Sequence, residues 1–254
     1  MQSLPITEAE IEARISERLD ELLGLWQAEQ GSSKPGDLEL MASVIPIPRS
    51  EAVRVLDLCC GPGDAGRAIR RVYPRAQIDG VDRDPFLTAI CKGINQRDGI
   101  PGRIIVRDLK HGDWPNELSD NYDVAIVVNA LHWFEAARAE QLLGDVHTAL
   151  RSDGVFLLAE PASPERPFAA GFEEWKARQP QRYLQENWDR FWSRANDLLG
   201  YDHITLLGSP NDKRLGDSLT AAGWTCLIKA AGFELIDVLL RDADQVIIAA
   251  QKCR

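Results

Sequence analysis

The stretch from Val53 to Gly66, V-R-V-L-D-L-C-C-G-P-G-D-A-G, decides the fold. Its first half is an apolar run that ends close after a carboxylate, Asp57, and is typical of a buried strand. Its second half places Gly61, Gly63 and Gly66 at G-x-G-x-x-G spacing, where glycines permit a tight turn and close backbone approach to a ligand. The residues that follow predict a helix, so the stretch indicates a strand, a turn and a helix around a nucleotide-sized ligand.

Two carboxylates flank this turn and narrow the choice of ligand. Asp57 stands just before the glycines, where an acid would repel the pyrophosphate of a dinucleotide and therefore argues against NAD. The same acid suits a ligand with positive charge, such as S-adenosylmethionine, which carries an ammonium and a sulfonium. Asp82 ends the next apolar run, I-D-G-V-D, where a carboxylate can accept hydrogen bonds from both ribose hydroxyls.

Five segments between Val53 and Pro161 carry a family resemblance: L-D-L-C-C-G-P-G, G-V-D-R-D-P, V-R-D-L-K-H-G-D-W-P, Y-D-V-A-I-V-V-N-A-L-H-W-F and L-R-S-D-G-V-F-L-L-A-E-P. In this order they resemble the five motifs of the class I, Rossmann-like S-adenosylmethionine-dependent methyltransferases. One position departs from the family pattern, because Cys59 stands where a glycine is usual. We therefore expect the turn to form without a left-handed residue at Cys59.

The resemblance implies a set of cofactor-binding residues at the ends of the strands. They are Asp57, Cys59, Gly61, Gly63, Asp82, Arg83, Asp108, Leu109, Asn129 and Leu131. In this interpretation Asp108 accepts a hydrogen bond from the adenine amino group while Leu109 packs on the ring, although Asp108 could instead be a turn residue. Leu131 and the backbone near Asn129 border the methionyl arm by analogy with the family. The expected cofactor is S-adenosylmethionine, with S-adenosylhomocysteine as product.

Apolar runs alternate with helical patterns along the chain and predict an α/β fold. The predicted strands are Val53–Cys59, Ile78–Asp82, Arg103–Arg107, Val124–Val128, Val155–Ala159, Phe233–Leu240 and Gln245–Ala250. The last two are close enough for a hairpin, which requires antiparallel pairing. We therefore predict a seven-stranded Rossmann-like sheet, mostly parallel with a reversed C-terminal strand, helices on both faces and a helical lid insertion.

The same pattern divides one methyltransferase domain, 1–254, into four parts. Residues 1–50 form an N-terminal helical cap, 51–160 the cofactor-binding core, 161–212 a helical lid insertion, and 213–254 a C-terminal helix and strand pair. Thr7 begins a predicted amphipathic helix that continues to Trp26, and Leu38 to Ile45 is a second, shorter helix. These N-terminal helices could cap the cofactor pocket or simply cover the edge of the sheet.

The predicted insertion is rich in aromatic residues. Two trios recur at helical spacing: Phe168, Phe172 and Trp175, and Trp188, Phe191 and Trp192. Packing on the core explains most of them. In the family that the chain resembles, however, an insertion at this point lies over the acceptor side of the pocket. We therefore name as candidate substrate-binding residues Trp133, Phe172, Trp175, Trp188 and Trp192.

The candidate catalytic residue is His132, because it immediately follows the fourth predicted strand and imidazole titrates near neutral pH. A packed or capping histidine is the alternative. A base is needed only if the acceptor is an alcohol or an activated carbon, since a carboxylate, phenolate or free amine attacks unaided. His203 and Glu160 are weaker candidates, and His111 and His147 are expected at the surface.

The amino-acid composition limits the kinds of partner and the compartment that we expect for this protein. The formal net charge of −10 disfavours nucleic acid, and the arginines after the glycine turn (Arg67, Arg70, Arg71, Arg75) are expected on a solvated helix face. No apolar run suits a membrane helix, and the acidic N-terminus has no signal-peptide layout. Five cysteines without framework spacing indicate a reduced compartment, and no residue spacing suggests a metal site. We therefore expect a cytoplasmic protein with a small-molecule substrate and no resident metal, its oligomeric state open.

Three functions from different classes fit these observations. The first is S-adenosylmethionine-dependent methyl transfer to a small-molecule oxygen, nitrogen or carbon acceptor by in-line displacement. The second is an NAD(P)-dependent oxidoreductase, which the glycine spacing permits but which Asp57 and the lack of a recognisable tyrosine–lysine pair disfavour. The third is a non-catalytic cofactor-binding or partner protein with the same fold.

Overall fold

The computed structural model describes residues 5–29, 35–111, 114–118, 121–178, 185–207, 214–215 and 219–253. They contain one sheet of seven strands in the order β3-β2-β1-β4-β5-β7-β6. The strands are β1 (Arg54–Leu58), β2 (Gln77–Asp82), β3 (Ile104–Val106), β4 (Tyr122–Val128), β5 (Leu150–Pro161), β6 (Leu235–Asp242) and β7 (Gln245–Gln251). The helices are α1 (Glu8–Ile15), α2 (Leu19–Glu29), α3 (Pro35–Ser43), α4 (Asp64–Val72), α5 (Pro85–Asp98), α6 (Ala136–Ala149), α7 (Ala169–Lys176), α8 (Gln185–Leu199), α9 (His203–Leu207) and α10 (Ala221–Ala230).

The predicted mixed sheet is confirmed. Strands β1 to β5 pair in parallel, while β7 runs antiparallel between β5 and β6. From β1 the chain proceeds to β2 and β3 on one side and to β4 and β5 on the other. A crevice therefore opens at the carboxyl ends of β1 and β4, which is where doubly wound sheets bind ligands.

Helices cover both faces of the sheet. On one face, α6 packs against β5 through residues such as Leu142, and α10 packs against α6, β6 and β7 through residues such as Trp224. On the other, α3 and α4 contribute Met41 and Ile69 to a second core. These two cores explain why the central strands are apolar on both sides, since a parallel sheet is buried on both faces.

A third apolar cluster lies apart from the sheet and joins distant parts of the sequence. It unites α1, α2, α5 and α8, with Ile11, Leu22, Phe86 and Phe191 all fully buried. The N-terminal helices thus pack on α5 and on the insertion. The role of these helices as a cap on the cofactor pocket stays a prediction.

The N-terminal helix differs from its prediction, because it is broken by a 3₁₀ turn at Ser16–Arg18. Ser16 Oγ donates to the carbonyl oxygen of Ala13 at 3.0 Å, a local side-chain bond that competes with regular helix geometry. The predicted cap at Thr7 is present as a capping box with Glu10. The second helix begins earlier than expected, at Pro35. None of the helices in the described ranges has the length and apolar character needed to cross a membrane.

Candidate active site

The glycine turn follows β1 and passes into α4. Gly61 and Gly63 have φ angles of +50° and +87°, and Gly63 is the N-cap of α4. The expectation for Cys59 is wrong: it adopts φ +54°, so the turn does contain a left-handed residue there. The left-handed backbone conformation costs a residue with a Cβ atom roughly 1–2 kcal/mol. The amide of Cys60 donates to the carbonyl of Val81 at 3.1 Å, which holds the turn against β2.

Gly66, the third glycine of the spacing, is required by close packing. A Cβ atom there would lie 2.7 Å from Cγ2 of Ile78 and 3.2 Å from Oδ2 of Asp57. The first turn of α4 therefore approaches β1 and β2 more closely than any side chain allows, as the motif's third glycine does in nucleotide-binding turns.

Asp57 lies beneath the turn. It is 2% exposed, and its Oδ2 accepts a hydrogen bond from the Gly66 amide at 3.0 Å. Burial raises the pKa of Asp57 from 3.8 to about 8, an effect that the Gly66 hydrogen bond opposes and the Asp64 charge reinforces. Asp57 is thus poised to gain negative charge when a cation arrives nearby.

Asp82 fixes the turn from the neighbouring strand. Its Oδ2 accepts from the Gly61 amide at 2.9 Å, and its Oδ1 accepts from the Asp84 amide at 2.9 Å. Burial, followed by the charge of Asp84, raises the pKa of Asp82 to about 6. A carboxylate has about four lone-pair sites, so two accepted bonds leave capacity for ligand hydroxyls.

Cys59 lies among the carboxylates at the ends of the strands. Burial raises the pKa of its thiol well above the usual value, and the charges of Asp82, Glu160, Asp57 and Asp108 raise it further. The structure therefore brings together acids that are separated by up to a hundred residues in sequence. Their combined negative potential favours a cationic ligand.

Other predicted cofactor residues surround this point. Leu109 is buried, and Asp108, which is half-buried, accepts a hydrogen bond from the Lys110 amide at 2.9 Å, as a turn residue does. Asn129 has φ +51° and accepts a hydrogen bond from Nε2 of Gln245 at 3.3 Å. Arg83 and Leu131 complete the predicted set, Arg83 half-buried after β2 and Leu131 fully buried after β4.

His132 and Glu160 form a buried pair at the ends of β4 and β5. Nδ1 of His132 lies 2.7 Å from Oε2 of Glu160. Oε1 of Glu160 accepts from the amides of Ala130 and Leu131, at 2.8 and 2.6 Å. Glu160 is fully buried and His132 is 9% exposed. A carboxylate oxygen accepts hydrogen bonds, so Nδ1–H is the donor of this pair and Nε2 is left to accept a proton.

Trp133 faces solvent beside this pair. Its indole is 40% exposed, and the guanidinium of Arg214 stacks over it at 4.6 Å from the ring centroid. A cavity of about 210 Å³ adjoins it, lined by Lys110, Trp133, Phe134, Glu135 and Arg138. The cavity thus brings the cations of Lys110 and Arg138 next to the aromatic ring of Trp133 on the α6 side of the crevice.

The structure separates the two aromatic trios of the insertion. Trp192 and Phe191 are buried, and Trp192 packs on Trp188 and Phe86 with centroids 5.5 and 6.3 Å apart. In contrast, Trp175 is 41% exposed and contacts Phe172 at 5.8 Å. Phe168 precedes α7 and is 69% exposed. The substrate-binding role assigned to four of these residues stays a prediction, and parts of the predicted lid, 179–184 and 208–212, lie outside the described residues.

Two residues that sequence reasoning missed or ranked low contact the cofactor side. The indole of Trp26 lies 3.5 Å from where a Cβ atom on Gly61 would be, and its Nε1 donates to Asp64 at 2.8 Å. His203 is fully buried, with Nε2 2.8 Å from Oδ1 of Asp84. Nothing local in the sequence signals either contact, because the partners are 35 and more positions apart.

Two surface expectations need correction. Arg67 is 9% exposed instead of solvated, because its guanidinium donates to the Pro62 carbonyl inside the turn and pairs with Asp64 at 2.5 Å. His147 is half-buried and packs edge-on against Phe233, with ring centroids 5.0 Å apart. Burial accordingly lowers the pKa of His147.

Comparisons with known proteins show which proteins the chain is similar to. Residues 55–154 match the model of a methyltransferase domain. The chain is 30% identical over 165 residues to trans-aconitate 2-methyltransferase of Variovorax paradoxus, which covers 64% of this chain and 58% of that protein. The chain thus spans about three fifths of this relative's length. Residues 55–154 thus resemble a methyltransferase domain, and the relative is itself a methyltransferase.

Solved structures agree with this class I fold. A candidate O-methyltransferase of Nostoc punctiforme superimposes with a TM-score of 0.58 at 22% identity, over 95% of this chain and 60% of the other. Human N-acetylserotonin methyltransferase, solved with S-adenosylmethionine, gives 0.56 at 18% identity, over 94% and 58%. The predicted fold is confirmed, and these similarities agree with the predicted family.

Proposed function

We propose that this protein transfers the methyl group of S-adenosylmethionine to a small molecule whose attacking atom carries a proton, with His132 as general base. The observation that carries the proposal is the buried His132–Glu160 pair, at the same edge of the sheet as the glycine turn. Glu160 orients the imidazole and leaves Nε2 free to accept a proton from an alcohol, a neutral phenol or an activated carbon.

The residues of the turn fit the proposed cofactor. Gly61 and Gly63 keep the turn free of side chains, and Asp82 retains acceptor capacity for ribose hydroxyls. The carboxylates around Cys59 complement a ligand with ammonium and sulfonium charges. When bound, this cofactor supplies an electrophilic methyl group. The predicted contacts of Arg83, Asp108, Leu109, Asn129 and Leu131 belong to the same proposal.

The acidic surroundings weigh against a nicotinamide cofactor. A pyrophosphate over the turn would face Asp57 and Asp82, whose pKa values burial already raises because the charged forms are poorly solvated. An added anion would raise them further at a cost in binding free energy. The oxidoreductase alternative therefore lacks support from the electrostatics of the site.

The acceptor class follows from the presence of a positioned base. Trans-aconitate, named in the relative, carries carboxylates, which attack without proton removal. A buried imidazole held by a fully buried glutamate is useful only if the acceptor must lose a proton. We therefore place hydroxyl-bearing or carbon acceptors ahead of carboxylates, with Trp133, the half-buried Phe172 and the exposed Trp175 as candidate contacts. Trp188 and Trp192 would contribute only indirectly, through packing.

The proposed compartment is the cytoplasm. The five cysteines are present as free thiols, as expected in a reducing environment. The net charge of −10 makes a polyanionic partner such as nucleic acid unfavourable.

Two measurements test the proposal in sequence. Isothermal titration of the purified protein should show binding of S-adenosylhomocysteine and none of NAD; the reverse result would overturn it. A labelled-methyl transfer screen should then find activity among alcohols, phenols and carbon acids. Activity on carboxylates alone, unchanged in His132→Ala, would remove the base from the mechanism while leaving methyl transfer intact.

A further inference from the structure

His203 links the insertion to the cofactor side of the site. It begins α9, 119 residues after Asp84, and its Nε2 lies 2.8 Å from Oδ1 of that carboxylate. The ring is fully buried. Because Asp84 caps α5 at the end of β2, the contact joins the insertion to the segment that carries Asp82.

Asp84 is the meeting point of several hydrogen bonds. Its Oδ1 also accepts from the amides of Phe86 and Leu87, at 2.8 and 3.3 Å, and its own amide donates to Asp82. Asp82 in turn accepts from the Gly61 amide. A continuous chain of hydrogen bonds therefore runs from His203 through Asp84 and Asp82 to the glycine turn.

The imidazole is held in one orientation. It stacks on Trp192 with centroids 5.9 Å apart and planes at 19°, and Tyr201 contacts it at 5.8 Å. Its backbone amide donates to Oδ1 of Asn196 at 2.9 Å. Since Asp84 already accepts two amides, Nε2 is the donor of the pair. Nδ1 has no hydrogen-bond partner among the residues that the structure describes.

Packing alone does not account for this residue. An apolar side chain could fill the space between Phe86 and Trp192, and burying an imidazole with an unsatisfied Nδ1 carries a desolvation cost. The cost is offset at Nε2, where the imidazole donates to a carboxylate. The polar function of His203 is therefore directed at Asp84.

We propose that His203 is a positioning residue for the cofactor: through Asp84 it fixes Asp82 and the glycine turn in their binding geometry. The inference rests on the proposed function, because it takes the turn as the cofactor site. The coupling must also act in the other direction. If packing of α8 and α9 favours cofactor binding, then a bound cofactor must stabilise the packing of α8 and α9.

Two substitutions that both remove the imidazole ring separate this role from packing. His203→Gln places an amide nitrogen at the position of Nε2 and retains a donor to Asp84. His203→Asn places its nitrogen at the position of Nδ1, on the side away from Asp84. Both lose the ring and its stacking on Trp192, so a purely structural residue would show similar losses in both variants.

The experiment measures the dissociation constant for S-adenosylhomocysteine by isothermal titration at a temperature where every variant is folded. We expect His203→Asn to bind about tenfold more weakly and His203→Gln to recover most of that loss. With an acceptor at saturation, the KM for S-adenosylmethionine should rise while kcat stays nearly constant. Tyr201→Phe, which keeps the neighbouring ring and removes only its hydroxyl, is the matched control and should bind as the wild type does.

Hydrogen exchange supplies the reciprocal test. S-adenosylhomocysteine should slow amide exchange in α9 of the wild type and of His203→Gln, and much less in His203→Asn. Equal affinities and equal protection in both variants would overturn the positioning role. A wild-type protein that fails to bind S-adenosylhomocysteine would instead overturn the proposed function, so the two failures are distinguishable.

Discussion

The two sides of the crevice use a buried carboxylate in the same way but for different ends. On the β2 side, Asp82 accepts the amides of Gly61 and Asp84, and every bond goes to backbone. On the β5 side, Glu160 also accepts two amides, yet its second oxygen holds His132. The first side is built to present negative charge, whereas the second adds a group that can move a proton.

Helices α7 and α8 of the insertion also lie on different sides of the crevice. Helix α8 packs with α1, α2 and α5 beside the glycine turn. Helix α7 lies toward the opposite side, where Lys176 pairs at 2.8 Å with Asp244 in the turn between β6 and β7. The neighbouring Gln245 donates to Asn129 at the end of β4. Changes in α8 should therefore disturb the cofactor side, and changes in α7 the acceptor side.

The largest expected effect is on the β5 side of the crevice, where His132 is the proposed base. His132→Ala should lower kcat by about 10²- to 10⁴-fold, the usual contribution of a general base, and leave the affinity for S-adenosylhomocysteine within about twofold. Steady-state kinetics and calorimetry check both. His111→Ala, at an exposed position, is the control. If His132→Ala also lost cofactor binding, His132 would belong to the cofactor side of the crevice and not to the acceptor side.

Next in size is the contrast between the two tryptophans of the insertion. Trp192→Ala should destabilise the protein by about 3–5 kcal/mol, because it empties a packed site between Phe86 and His203. Trp175→Ala removes an exposed ring and should cost less than about 0.5 kcal/mol while weakening acceptor use. Denaturant melts and acceptor KM values distinguish them. Equal losses of stability would mean that α7 is packed as firmly as α8.

Asp82→Ala probes the charge-presenting side with a smaller effect. Cofactor affinity should fall by about 1–3 kcal/mol, since a charge-assisted acceptor for ribose hydroxyls and the anchor of Gly61 are both lost. Isothermal titration gives the value. Asp98→Ala, an exposed acid near the far end of α5, should bind normally. Unchanged affinity in Asp82→Ala would contradict the assigned role.

The smallest effect concerns pH. Because burial raises the pKa of Asp57 to about 8, the folded protein holds a proton that the unfolded chain releases near pH 4, so stability falls as pH rises from about 4 to 8. Asp57→Asn keeps an acceptor for the Gly66 amide but cannot titrate. Between about pH 6.5 and 8.5 its free energy of unfolding should therefore fall by about 1–2 kcal/mol less than that of the wild type. Melting curves across this range check it, with exposed Asp237→Asn as control. A slope unchanged in Asp57→Asn would show that another group carries it.

Local sequence was sufficient for the sheet and for the position of the crevice. The spacing of Gly61, Gly63 and Gly66, together with alternating apolar runs, predicts strands whose ends must meet at one edge. The Glu160–His132 pair could also have been anticipated, because residues that follow neighbouring parallel strands lie side by side.

What sequence did not reveal depends on contacts between distant segments. Trp26 over Gly61 and His203 on Asp84 arise from the packing of α2, α8 and α9 around α5, and no local pattern encodes that arrangement. The conformation of Cys59 is a further case. Its left-handed backbone is imposed by the closing of the turn against β2, which overrides the preference of a residue with a Cβ atom.

The cover of the glycine turn has a consequence for the order of folding during synthesis. Helices α1 and α2 leave the ribosome before the strands, but their partners in α8 are made much later, as the bond from Arg14 to the carbonyl of Leu199, 185 residues on, illustrates. Strands β1 to β4 and their helices are complete well before that point. The apolar faces of α1 and α2 therefore stay partly exposed on the nascent chain, a state that favours chaperone binding. Although they precede the strands in the chain, these two helices are therefore among the last described elements to reach their final packing.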